Sequence, residues 1–195
     1  AFGAYWIAND FVTSTVQALP PIVNMINAFE WALNPDNDTN TTKDIPDVIN
    51  NSWRWYDGND TIHCGGFVVN LMNAIEAAGI ANVFSAGNSG PNNSTVNSPQ
   101  RINTSDVNTF CVGSVNGNSS FPYTISNFST KGPSQCTGLG SLAIHPEVVA
   151  PGQNVRSAWE QNNFNTISGT SMAAPHVSGA VLLLKEAFPY LSIVV

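Results

Sequence analysis

The chain has 195 residues, enough for one sizeable domain with a real core, and an ordinary 43% hydrophobic content. Only 10% of its residues are charged, well under the usual ~25%, and its net charge of -7 excludes a surface that neutralises the phosphates of a nucleic acid. No apolar run approaches the ~20 residues needed to span a bilayer, so no membrane partner is expected. In chain order, Ala4-Tyr5-Trp6-Ile7-Ala8 reads as a short buried strand. Residues 22–33 follow Pro20-Pro21 and place Ile22, Met25, Ile26, Phe29 and Leu33 at helical spacing. Residues 34–47, rich in Asn, Asp and Thr, read as a solvated loop before a strand that opens at Val48-Ile49. A second helix, 68–78, carries Val68, Leu71, Met72, Ile75 and Ala78 on one face, and Gly79 stops it. Strands are expected at 81–86 and 110–115, with shorter extended pieces at 148–150 and 155–157. The last element, 171–187, is apolar nearly all round, which predicts a helix buried inside a domain, with Pro175 in its first turns. Alternating strands and helices point to an α/β fold with a mostly parallel sheet and helices on both faces. Without repeats or a linker, 1–195 reads as a single domain.

Cys64, Cys111 and Cys136 are widely spaced and contain no CxxC pair, so the spacing predicts no zinc site. One disulfide plus one thiol is the oxidised arrangement, with three pairings open. Acceptor triplets for N-glycosylation recur at Asn37-Asp38-Thr39, Asn103-Thr104-Ser105 and Asn118-Ser119-Ser120. Low Lys content with abundant Asn and Ser favours an extracellular protein over a cytosolic one.

The most informative run is Ile167-Ser168-Gly169-Thr170-Ser171-Met172-Ala173-Ala174-Pro175-His176-Val177. It sets Ser171 between a small-residue turn and an apolar helix. Unpaired N–H groups and the positive dipole end of a helix favour negative charge developing there. Gly169, Thr170 and Ala173 leave room for a substrate backbone. Alone, such a serine reads as a helix cap. The segment 169–179 resembles the nucleophile signature of the subtilisin-like serine proteases, the subtilases. Four further stretches agree in order. Val83-Phe84-Ser85-Ala86-Gly87-Asn88-Ser89-Gly90-Pro91 resembles the family's segment with an oxyanion-binding asparagine, and Pro46-Asp47-Val48-Ile49-Asn50-Asn51-Ser52-Trp53 resembles its cleft-lining strand. Phe128 to Pro133 and Pro146 to Gly152 match the stretch between these and the serine.

The resemblance implies a subtilisin-like fold and a serine endopeptidase acting on polypeptide. Ser171 would be the nucleophile and Asn88 the side-chain donor to the oxyanion. Ser52, Trp53 and Arg54 would form one wall of the specificity pocket, and Ser85, Ala86 and Gly87 the other. Arg54 departs from the family, which usually has glycine there, and puts a bulky cation at the cleft edge. No cofactor is required for the chemistry. Structural calcium is common in the family, but no dense run of carboxylates marks a place for it here.

The family's aspartate and histidine motifs are missing. His176 lies within the serine motif, and five residues of helix turn it roughly 140° from Ser171, which suits a buried structural residue. His63 and His145 read as surface or core residues, and Asp10 is the nearest stand-in for the acid but lacks the family's context. In this family the acid and base precede the serine. The expectation is therefore a peptidase domain incomplete at its N-terminus, completed by an upstream segment that supplies Asp and His. The alternative is a non-catalytic pseudoprotease that binds peptide strands. An α/β-hydrolase esterase needs its acid and base after the serine, where His176 is the sole histidine, and is rejected.

Overall fold

The computed structural model describes residues 3–11, 22–54, 64–136 and 140–190. Four strands, β1 (Val48–Asn51), β2 (Ala81–Ser85), β3 (Phe110–Val115) and β4 (Val148–Pro151), form one parallel sheet in the order β1-β2-β3-β4. Helices α1 (Ile22–Leu33) and α2 (Phe67–Ala77) cover one face, where Met25, Phe29, Val68, Met72, Ile75 and Phe84 make a continuous core. Helix α3 (Thr170–Ala187) crosses the other face, laying Ala173 and Ala174 on Ala81, Val83, Val112 and Ala150. Small residues on both surfaces let this helix approach the sheet closely. β2 is buried along its whole length, as a central parallel strand covered on two sides must be. Its polar Asn82 is satisfied: Oδ1 accepts from Asn51 Nδ2 at 2.8 Å, and Nδ2 donates to the Asn108 carbonyl at 3.2 Å. Gly79, at φ +77°, closes α2 by donating its N–H to the Glu76 carbonyl at 2.8 Å.

Several expectations need correcting. Residues 4–8 form no strand, and Tyr5, Trp6 and Ile7 are exposed, because no strand among the described residues pairs with them. An antiparallel hairpin of β5 (Val155–Trp159) and β6 (Asn163–Ile167) follows β4. β6 escaped detection because both its faces are largely exposed, so it shows no apolar alternation. Helix α3 is buried only on its sheet-facing side: Leu183 and Leu184 are 52% and 56% exposed. Among the described residues β1 pairs only with β2. Its other edge borders a groove of about 440 Å³ lined by Phe29, Val48, Ile49, Trp53 and Leu182 among others.

Cys64 and Cys136 form a disulfide across 72 residues, leaving Cys111 as a buried thiol. Of the glycosylation triplets, those at Asn37 and Asn118 are exposed, whereas Asn103 is buried and its amide donates to Glu147. No described helix is long and apolar enough to cross a membrane.

Candidate active site

Ser171 is the second residue of α3, beyond the C-terminal ends of β1 and β2. Open parallel sheets place their ligand sites at this end. Its hydroxyl and its backbone N–H make no hydrogen bond among the described residues. The N–H belongs to the first helical turn, which has no intrahelical acceptor.

Asn88 is oriented from the start of the same helix. Its Oδ1 accepts from the Thr170 N–H at 2.9 Å and from the Thr170 hydroxyl at 3.0 Å. With the oxygen engaged, Nδ2 is left to face outward. The point that a Cβ on Gly169 would occupy lies 3.4 Å from Asn88 Nδ2 and 3.7 Å from the Ser171 nitrogen. Two N–H donors, with the Met172 sulfur at 3.6 Å, therefore border one space, which Gly169 keeps open. Such a pair can stabilise an oxygen that acquires negative charge.

Thr170, fully buried, is the hub. Its Oγ1 also accepts the Gly87 N–H at 3.0 Å, tying the loop after β2 to α3. A second clamp holds that loop from outside: the Thr130 N–H donates to the Gly87 carbonyl, and Thr130 Oγ1 accepts from Ser89. The Gly90 N–H donates to the Phe128 carbonyl at 2.9 Å. A side chain at Gly90 would collide with the carbonyls of Ser129 and Asn127. Gly90→Ala is expected to destabilise the full-length protein by about 1–3 kcal/mol through overpacking, read as a lower Tm.

Pro175 explains the position of Ser52. It stands four residues after Ser171, so it lacks the N–H that would bond the Ser171 carbonyl. Ser52 Oγ donates to that carbonyl instead, at 3.1 Å. Pro175 thus joins the cleft wall to the nucleophile's helix, a larger role than its place in the first turns suggested.

A cleft of about 270 Å³ runs between these elements, lined by Ser52, Trp53, Arg54, Ser85, Gly87 and Asn88, with Ser89, Gln100, Thr170 and Ser171 completing it. The Trp53 ring is packed on Phe11, Phe29 and Phe84, away from a solvent-facing role. Ala86 is fully buried and does not line the cleft, because its backbone N–H is drawn to the Val112 carbonyl. Gln100 spans the cleft floor, its Nε2 donating to the carbonyls of Trp53 at 2.7 Å and Ser85 at 3.0 Å. Buried and bonded to both walls, it sets their separation. Gln100 does not stand out in the sequence, and Thr170 reads there only as a small residue leaving room for substrate. The signal for Thr170 was its place inside the serine motif, and no local signal marks Gln100.

Among the described residues that line the cleft, none is a histidine or a carboxylate. His176 is exposed rather than buried, with Nδ1 at 2.8 Å from the Met172 carbonyl. Asp10 is exposed in a segment without secondary structure, and His63 lies outside the described residues. His145 is buried beside Glu147 and Cys111. Burial, and then the Glu147 charge, push the Cys111 thiol pKa well above its ordinary value.

The chain is an α/β fold with a serine at a helix start and two N–H groups beside it, beyond the C-terminal ends of a parallel sheet. The sequence pattern of the Subtilase family matches residues 19–194. Bacillopeptidase F of Bacillus subtilis (strain 168) is 34% identical over 202 residues, covering 98% of this chain and 12% of its own length. Subtilisin DY of Bacillus licheniformis is 30% identical over 170 residues, covering 86% of this chain and 50% of its own. Among solved structures, Sphericase superposes with a TM-score of 0.66 at 26% identity, covering 87% of this chain and 51% of that one. The S41 Psychrophilic Protease gives 0.61 at 26% identity, covering 88% and 50%. The chain belongs to the subtilase family, as the C-terminal part of its catalytic domain, and spans about half of Subtilisin DY.

Thr170→Val tests the hub directly. It keeps the shape but strands the half-buried Gly87 N–H and releases one bond to Asn88, at a cost of about 1–3 kcal/mol. In the full-length protein kcat is expected to fall about 10- to 100-fold through misplacement of Asn88, with KM little changed and Thr170→Ser restoring the rate. A role in folding alone would lower Tm without separating kcat from KM.

Proposed function

We propose that the protein is a secreted serine endopeptidase in which Ser171 is the nucleophile and Asn88 an oxyanion donor. Ser171 Oγ bonds to the scissile carbonyl carbon, and the carbonyl oxygen takes up the negative charge between Asn88 Nδ2 and the Ser171 N–H. The C–N bond then breaks, and the amine leaves with the proton that the base took from Ser171. Water repeats the sequence to release the acyl group. The observation that carries this reading is the convergence of the two donors on the space that Gly169 keeps clear.

The aspartate and histidine come, in this proposal, from an upstream segment of the same protease. The edge of β1 that no described strand pairs with, and the apolar groove beside it, support that segment's docking there. Unpaired edges and exposed apolar clefts are surfaces that proteins normally cover. The substrate is a polypeptide in extended form, held between the two cleft walls by backbone hydrogen bonds. The disulfide and the exposed acceptor triplets at Asn37 and Asn118 support secretion.

Peptide hydrolysis by the full-length protein, set against the isolated 195 residues, tests the reading. The full-length protein is expected to turn over a peptide anilide. The isolated chain is expected to show at most the ~10³–10⁴ over water that binding and oxyanion stabilisation supply without the other triad members. Full turnover by the isolated chain would place the base among its own histidines and overturn the proposal. Absence of turnover by the folded full-length protein would favour a peptide-binding pseudoprotease.

A further inference from the structure

At the opposite end of the sheet, the fold gathers three side chains that the sequence keeps apart. Cys111 is the second residue of β3, and His145 and Glu147 belong to the segment leading into β4, whose Val148 pairs with Val112. One ligand atom from each, the Cys111 sulfur, a His145 ring nitrogen and a Glu147 carboxylate oxygen, lie within 4.8 Å of one another. Cys111 is fully buried and the His145 ring is wholly enclosed, while the Glu147 side chain is 16% exposed and offers a route in from solvent.

His145 provides an independent sign that something is bound there. Among the described residues neither of its ring nitrogens makes a hydrogen bond. Nδ1 lies 3.2 Å from Glu147 Oε1, within ion-pairing distance of the carboxylate, and Nε2 has no partner among the described residues. Buried imidazoles are normally satisfied, and this one is aimed into a cluster of lone pairs. Glu147, by contrast, is fixed from behind. Its Oε1 accepts from Asn103 Nδ2 at 3.0 Å, and its Oε2 from the Cys111 N–H at 2.8 Å. Asn103 is in turn held by the Thr109 hydroxyl at 3.0 Å. Metal ligands are characteristically oriented by such outer partners.

We propose that Cys111, His145 and Glu147 bind one divalent cation of the zinc class. Sulfur, imidazole nitrogen and carboxylate oxygen form a borderline-soft donor set that suits zinc or cobalt, whereas calcium and magnesium take oxygen ligands. Thiolate and carboxylate together balance the charge of the ion. The Cys111 proton leaves to solvent as the metal–sulfur bond forms. Three protein ligands leave a fourth tetrahedral position on the Glu147 side. The cluster sits at the N-terminal end of β3, whereas Ser171 lies at the C-terminal ends of the strands, so the ion ties β3 to the β4 approach and takes no part in peptide cleavage. The absence of a CxxC pair conceals this set because its ligands come from β3 and from the segment before β4, 34 and 36 positions further along.

The test is cobalt(II) titration of the metal-stripped full-length protein, followed by zinc competition. A thiolate-to-cobalt charge-transfer band is expected, saturating at one equivalent and displaced by zinc. It should vanish in Cys111→Ser and His145→Gln, and Glu147→Gln should weaken cobalt binding at least 10-fold. Zinc should raise the Tm of the wild-type protein and not that of either band-less variant, and calcium should not substitute. Should one variant fail to fold, the other carries the comparison. Natively folded protein that shows neither the band nor a zinc-dependent Tm shift overturns the proposal, as does a band that survives in folded Cys111→Ser.

Discussion

Ser171→Ala in the full-length protein is expected to lower kcat for peptide hydrolysis by about 10⁶-fold, a scale set by subtilisin itself, while the fold is retained. Alanine has good helix propensity and Ser171 is only partly buried, and its hydroxyl contributes no hydrogen bond among the described residues. The loss is therefore chemical rather than structural. Far-UV circular dichroism and Tm should match the wild type, and peptide binding should persist because Ser52, Gln100 and both cleft walls are untouched. Comparable losses in Tm and rate would instead show that Ser171 serves as a helix-start residue.

The second large effect is expected at Asn88. Its two side-chain atoms do different work: Oδ1 is held by Thr170, and Nδ2 faces the space beside Gly169. Asn88→Asp keeps the acceptor and removes the donor with almost no change in shape. The prediction is a fall in kcat of about 10²–10³-fold, again the subtilisin scale, with KM nearly unchanged and Tm close to wild type. Asn88→Ala should show the same kinetic loss plus a lower Tm, because the Thr170 N–H and hydroxyl then lose their acceptor. Steady-state kinetics and thermal melts on the two variants separate donation from anchoring. Since nucleophile and oxyanion donor act as a unit, Asn88→Asp added to Ser171→Ala should cost little more.

The sheet and the serine were legible in the sequence because each rests on local pattern. β2 and β3 are short apolar runs, α1 and α2 carry a single apolar face, and the serine motif occupies consecutive residues. What stayed hidden is held by contacts between distant segments. Gln100 gains meaning only where its amide reaches both Trp53 and Ser85. The link from Pro175 through the Ser171 carbonyl to Ser52 needs the helix register as well as the sheet. Cys111, His145 and Glu147 meet through the pairing of β3 with β4. The expected strand at residues 4–8 failed for the converse reason: apolar content alone makes no strand without a partner, and none of the described residues supplies one. The outer side of α3 is apolar, as read, yet open among the described residues, because composition reports what a helix could bury and not what covers it.

Reaction of the full-length protein with a fluorophosphonate, followed by peptide mapping of the adduct, tests the assignment of the nucleophile most directly. The expected result is one phosphonyl group per chain on Ser171, formed more slowly in Asn88→Asp and absent in Ser171→Ala. A folded full-length protein that leaves Ser171 unmodified, or carries the label on another residue, would contradict it.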